Sequence, residues 1–192
     1  MAETTNKPYT LICLRHSGTH LIQPIMRRLT GSTVYAPKGS DAINCIPSAK
    51  CVVFLRDPRN TIISHTRYKA SDLQPGKADK RIARLITKHK PGIEGPIEHM
   101  TAWARRWARS EGTLIVRFED LVSDKIGQVT RVRDYLGGGD VDDAIAYTFG
   151  RSGTWTGRHS QWREWFGPLA IEAWNANGGP RLLKAMGYGH DD

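Results

Sequence analysis

The stretch Tyr9-Thr10-Leu11-Ile12-Cys13-Leu14-Arg15-His16-Ser17-Gly18-Thr19-His20 decides the fold. Tyr9 to Leu14 is a short apolar run that ends at a glycine-containing turn, which reads as a buried strand. From His20 onward, Leu21, Ile22, Ile25, Met26 and Leu29 recur at helical spacing until Gly31 stops the pattern. The first unit is therefore strand, tight loop, helix. Working outward, Cys51 to Leu55 is a second buried strand. Asp57 can cap and Pro58 suits a first helical position, so a helix runs from there toward Tyr68. Thr113 to Phe118 is a third strand. Between the second and third strands, Ser71 to Lys77 reads as loop, Arg81 to Lys90 as a basic helix and Pro96 to Arg109 as a helix. Beyond the third strand, Asp124 to Leu136 is helical up to the Gly137-Gly138-Gly139 break. Asp142 to Tyr147 is a short helix with Asp140, Asp142 and Asp143 at its start, Gly150 to His159 is a loop, and Leu169 to Met186 carries helical pieces.

Strands alternating with helices imply an α/β chain with a central parallel sheet covered on both faces, a single three-layer domain over residues 1–192 with its core at about 9–188. Ligands in such sheets sit at the carboxyl ends of the strands. Arg15 to His20, Arg56 to Ser64 and the segment after Phe118 all fall there, so residues distant in sequence converge on one cleft.

At 192 residues, with 39% hydrophobic and 24% charged residues, the chain builds one core and is not disordered by composition. It has no apolar run near 18 residues, so no membrane span, and its polar start has no signal-peptide core. Three scattered cysteines exclude a disulfide framework and a four-cysteine zinc site, and suit the cytoplasm. The net charge of +9 predicts an anionic partner.

Two segments carry chemistry. In Arg15 to His20, a strand ends, a glycine lets the chain turn and a helix begins; exposed backbone N–H groups and the helix N-terminus make an anion site. Ser17 and Thr19 add hydroxyls, and Arg15 and His16 add charge or protons. The loop is not a Walker A motif, because no glycine lies five residues before Gly18 and no lysine follows it. In Arg56-Asp57-Pro58-Arg59-Asn60 through Ser64, a strand-end arginine precedes a serine two helical turns on. Arg56 then offers a bidentate fork to a phosphate that Ser64 also reaches.

The two segments together resemble the sulfotransferase family that uses 3′-phosphoadenosine 5′-phosphosulfate (PAPS). That family pairs a Ser-Gly-Thr loop with a later R-[DN]-P-[KR]-[DN]-x-x-x-S segment. The likeness continues in Glu98-His99-Met100-Thr101-Ala102-Trp103, in Leu114 to Leu121, where Phe118 stands at an aromatic position, in Gly157-Arg158-His159-Ser160-Gln161-Trp162-Arg163, and in Leu182 to Tyr188. It implies a P-loop NTPase-like sulfotransferase fold. It also implies PAPS as co-substrate, adenosine 3′,5′-bisphosphate as product, and in-line transfer of a sulfuryl group to an acceptor hydroxyl or amine.

By the same resemblance, Ser17, Gly18, Thr19 and His20 cradle the 5′-phosphosulfate, with His16 or Arg15 near the leaving oxygen. Arg56 and Ser64 hold the 3′-phosphate with Arg158 and Arg151, and Phe118 and Gly157 complete the cofactor site. His16 stands where the family has lysine, and Leu21 where it has a tryptophan that packs on adenine. The segment Thr33 to Lys50 contains no counterpart of the family's histidine base. Lys38 and Asp41 are the nearest titratable groups there, and Glu98 and His99 are the alternatives from the later helix. The donor carries about four negative charges, counting about 2 for the 3′-phosphate, and a basic cleft suits it. No metal is expected, and the acceptor is a small molecule or glycan. Two rivals share the charge and the alternating pattern: a P-loop nucleoside or phosphate kinase, which lacks its lysine here, and a nucleic-acid-binding module, which lacks a recognition element. Trp155 and Trp162 are the tryptophans expected at the cleft; the others are read as packing.

Overall fold

The computed structural model describes residues 9–37, 40–47, 50–88, 96–151 and 162–189, without the side chains of Ser40 and Arg151. In chain order the elements are β1 (Tyr9–Cys13), α1 (Thr19–Thr30), β2 (Val34–Tyr35), α2 (Ser40–Asn44), β3 (Lys50–Leu55), α3 (Pro58–Lys69), α4 (Pro75–Ile86) and α5 (Pro96–Trp107). There follow β4 (Leu114–Arg117), α6 (Phe118–Ser123), α7 (Lys125–Leu136), α8 (Val141–Arg151), α9 (Trp162–Trp165), α10 (Pro168–Ala176) and α11 (Gly179–Met186).

The strands form one parallel sheet in the order β2-β1-β3-β4, flanked by helices. Cys13 lies beside Phe54, and Leu55 lies beside Arg117. This register brings the carboxyl ends of β1, β3 and β4 to one level.

The chain divides into two compact units, residues 1–56 with 110–158, and residues 57–109 with 159–192. The first holds the sheet, α1, α2 and α6 to α8. Its core joins Leu11, Val52, Phe54 and Val116 of the strands to Leu21, Ile22, Ile25 and Met26 of α1 and Val129 and Val132 of α7. The second unit is helical. Its buried side chains include Ile82, Ile86, Trp103, Trp107, Phe166, Trp174 and Leu183. There the Asp79 carboxylate on α4 accepts the backbone N–H groups of Leu169 (3.1 Å) and Ala170 (2.7 Å) and so caps α10.

The three expected strands and the two flanking βα units are present. β2 and α2 are additions; two and five residues are too short to show a period. α4 starts at Pro75, inside the expected loop, and ends at Ile86, short of Lys90. Proline at the first helical position opens it despite the following glycine. α6 begins at Phe118, where a strand was expected to end. α8 extends to Arg151, and Asp140 caps it by accepting the Asp143 N–H at 2.9 Å. Among the described residues no helix is long and apolar enough to cross a membrane.

Candidate active site

The strand order places a topological switch between β1 and β3: the chain leaves β1 toward β2 on one side and returns to β3 on the other. The crevice outside such a switch is where parallel sheets bind ligands. Two of the segments singled out from sequence begin here, the loop after β1 and Arg56 after β3.

The loop is a preformed turn. Ser17 is buried; its Oγ donates to the Leu14 carbonyl at 2.6 Å and its N–H to the same oxygen at 3.3 Å. The Ser17 hydroxyl proton therefore holds the turn closed. His16 has φ 65°, the one non-glycine residue in the left-handed region among the described residues. Such a conformation costs about 1–3 kcal/mol and persists where its surroundings hold it. Here the holder is Arg56, whose Nη1 donates to the His16 carbonyl at 3.0 Å.

Gly18 caps α1 at φ 100° and, as glycine, brings no side chain to the helix end. A Cβ there would lie 2.8 Å from Phe118 Cδ2 and 3.3 Å from Phe54 Cε1, so only glycine lets the backbone rest on these rings. The Arg56 guanidinium lies 4.2 Å from the Phe118 ring centre, and Phe54 meets Phe118 edge-on with centres 6.3 Å apart. Phe118, itself buried, is thus the common floor under Gly18 and Arg56.

The Thr19 Oγ1 and Cys13 Sγ are 3.0 Å apart, and either can donate. Burial raises the Cys13 pKa, so the thiol keeps a proton to give and the Thr19 hydroxyl can direct its own outward. His20 is pushed below the ordinary histidine range, first by partial burial and then by the Arg56 charge. Arg15 is exposed and His16 half-buried.

The first N–H groups of a helix have no intrahelical partner. Those of α1, the bare cap at Gly18, the Thr19 hydroxyl and a guanidinium fixed against the same loop make one anion-binding surface. Its chemistry suits a phosphate-like anion, and among the described residues no group of three or more His, Cys, Asp and Glu could hold a metal ion.

The other predicted residues belong to further elements of the chain or fall outside the described residues. Asp41 is exposed on α2. Ser64 on α3, and Glu98 and His99 on α5, belong to the helical unit; Ser64 and His99 are half-buried and Glu98 is exposed. Lys38, Trp155, Gly157, Arg158 and His159 lie outside the described residues, as does the side chain of Arg151.

Asp57 takes the capping place that its position before Pro58 predicts, and it has a second partner that the sequence pattern does not show. It caps α3 through the Arg59 N–H at 2.7 Å and also pairs with the Arg59 guanidinium, Nη2 to Oδ2 at 2.7 Å, both residues being buried. The other side of this guanidinium lies 4.1 Å from the Trp162 ring centre, and Trp162 meets Phe166 edge-on. Trp162 is thus a packing platform for Arg59.

The sequence model described as the sulfotransferase family matches residues 32–143. The chain belongs to the sulfotransferase family. The matched span holds Asp41, Arg56, Ser64, Glu98, His99 and Phe118, and leaves the Ser17-Gly18-Thr19 loop to the structure. Among solved structures, mouse sulfotransferase SULT7A1 complexed with PAP matches over 93% of this chain and 85% of that one, with a TM-score of 0.63 at 13% identity. At that identity the likeness is one of fold. No curated protein matches this sulfotransferase in sequence.

Proposed function

We propose that this sulfotransferase uses PAPS as donor and passes its sulfuryl group to a hydroxyl or amine of a small-molecule or glycan acceptor in the cytoplasm, with no metal. The supporting observation is the row of strand ends: the loop after β1, Arg56 after β3 and Phe118 after β4, joined by the Arg56–His16 hydrogen bond and the Arg56–Phe118 stack.

Bound PAPS supplies an activated sulfuryl group for in-line displacement, chemistry in which positioning and preorganised donors dominate. Backbone N–H groups of Gly18, Thr19 and His20 and the Thr19 hydroxyl receive the 5′-phosphosulfate, on the turn that Ser17 holds closed. His16 or Arg15 steadies the negative charge that develops on the departing oxygen. Arg56 and Ser64 take the 3′-phosphate, with Arg151, Gly157 and Arg158 contributing. Glu98, His99 or Asp41 accepts the acceptor's proton, a contribution of typically ~10²–10⁴-fold.

A thermal-shift panel tests the reading. Adenosine 3′,5′-bisphosphate is expected to raise Tm, since ligand at a hundredfold excess over Kd adds about 2.7 kcal/mol. ATP with Mg²⁺ and a short oligonucleotide are expected to leave Tm unchanged. Stabilisation by ATP with Mg²⁺ alone, or turnover abolished by EDTA and restored by Mg²⁺, replaces the reading with that of a kinase.

A further inference from the structure

The helical unit carries a second concentration of positive charge. A cavity of about 940 Å³ is lined by six cations, Lys69 of α3, Lys77, Lys80, Arg81 and Arg84 of α4, and Lys88 just beyond it. A second hollow of about 330 Å³ shares Lys80, Arg84 and Thr87 with the first and continues along α10. The first is a basic groove along α4; the second, which also carries Glu172, adjoins it at Lys80, Arg84 and Thr87.

Folding does not require this arrangement. α4 buries Ala78, Ile82 and Ile86, a stripe at i, i+4 and i+8. Lys77, Lys80, Arg81 and Arg84 fall at i, i+3, i+4 and i+7 on another face, where like charges at helical spacing repel one another. The one acidic residue of α4, Asp79, is committed to the N-terminus of α10. Among the described residues none of the six cations forms an ion pair with a carboxylate. Arg81 Nη2 instead donates to the Lys69 carbonyl at 3.3 Å, which ties α4 to α3 and fixes one edge of the groove. Helix α4 thus holds a row of mutually repelling cations that an external anion would neutralise.

We propose that this groove binds a linear acidic saccharide, a chain bearing carboxylate or sulfate groups. Length favours an extended ligand, because the row from Lys77 to Arg84 rises roughly 10 Å along α4. Among the described residues no Phe, Tyr or Trp lines either hollow, so they offer no stacking platform of the kind that single-stranded nucleic acid uses. A saccharide also carries the hydroxyls on which a sulfotransferase acts. The proposal does not depend on the donor assignment, since binding is read with no donor present.

The test measures anisotropy of a labelled heparin hexasaccharide, a hyaluronan hexasaccharide and a short oligothymidylate with the full chain at about 50 mM salt, where screening is weak. The heparin fragment is expected to bind most tightly. The triple variant Lys77→Glu, Lys80→Glu, Arg84→Glu is expected to bind it about tenfold or more weakly. The neutral triple Lys77→Gln, Lys80→Gln, Arg84→Gln is expected to show most of that loss, with melting by circular dichroism unchanged. The control triple Arg105→Glu, Arg106→Glu, Arg109→Glu, on exposed arginines at the end of α5, is expected to stay within about twofold of wild type. Equal losses in groove and control triples, tighter binding of oligothymidylate than of either saccharide, or no saccharide binding by the wild type overturns the proposal.

Discussion

Arg56 and Arg59 stand three residues apart in one motif, both buried, and they do different things. Arg59 is saturated from within. The Asp57 carboxylate takes Nε and Nη2, and the Trp162 ring covers a face. Its guanidinium holds the start of α3 to the aromatic packing of the helical unit. Arg56 has a backbone carbonyl on one nitrogen and the Phe118 ring against its face. It pins a strained loop at the end of a parallel sheet. A motif written with two arginines thus divides into a fold-building member and a site-building member, and the neighbouring groups decide which is which.

The largest effect is expected at the fold-building end. Replacing Asp57 by Ala strips the cap from α3 and leaves the Arg59 charge buried, which costs about 3–5 kcal/mol; urea unfolding measures it. The double variant Asp57→Ala, Arg59→Ala removes the orphaned charge and is expected to lose less than the single one. A double variant less stable than Asp57→Ala would mean that Arg59 stabilises mainly by packing on Trp162.

Next comes Gly18→Val. Its positive φ and the clash with Phe118 predict about 2–4 kcal/mol of destabilisation, with loss of adenosine 3′,5′-bisphosphate binding by calorimetry. Wild-type binding in this variant would remove the loop from the anion site.

At the site-building end, Arg56→Ala is expected to weaken bisphosphate binding about 10- to 100-fold, the loss of a charge-assisted contact worth roughly 1.5–3 kcal/mol. Its unfolding free energy is expected to change less than that of Asp57→Ala. The reverse pattern would erase the distinction between the two arginines.

His16 is expected to act through its charge. A histidine titrates near ~6.5 when unperturbed, and a bound anion raises that value. If the imidazolium steadies the leaving oxygen, turnover falls as pH rises through its pKa, and His16→Lys flattens this alkaline limb. An unchanged limb in His16→Lys assigns the charge to Arg15.

The smallest effect concerns His20. Its pKa is lowered in the folded chain, so below about 6.5, the unfolded value, the unfolded chain binds more protons. Stability is therefore present above that pH and declines as pH falls toward the folded value. Tm is expected to drop between about pH 7 and pH 5 by slightly less in His20→Gln than in wild type. In Arg56→Ala, NMR titration is expected to show the His20 pKa move up part of the way, because burial remains the larger cause.

The elements visible in the sequence were those with a long signal. β1, α1, β3 and α3 are bounded by Gly18, Gly31, Asp57 and Pro58, which punctuate strong apolar runs. β2 has two residues, and its place beside β1 comes from pairing that no local pattern encodes. For α4, Gly76 masked the proline start. In the site, the residue types of the loop and of Arg56 were legible. The Arg56 bond to the His16 carbonyl was not, because a backbone acceptor leaves no trace in side-chain sequence. Phe118 is legible as an aromatic after the third strand, but its place under Gly18 follows from the β3–β4 register.

The two units are interleaved along the chain, and this sets an order on biosynthesis. At about 5–20 residues per second, β1, α1 and β3 leave the ribosome well before β4. The ring that supports Gly18 and Arg56 is made about 60 residues after Arg56 itself, some 3–12 seconds later. During that interval β3 has β1 on one side and an open edge on the other, while α3, α4 and α5 are still being made. The anion site cannot be completed until translation has passed Phe118, so the nascent chain acquires its binding surface only after α1 to α5 have been made and before α7 to α11 exist.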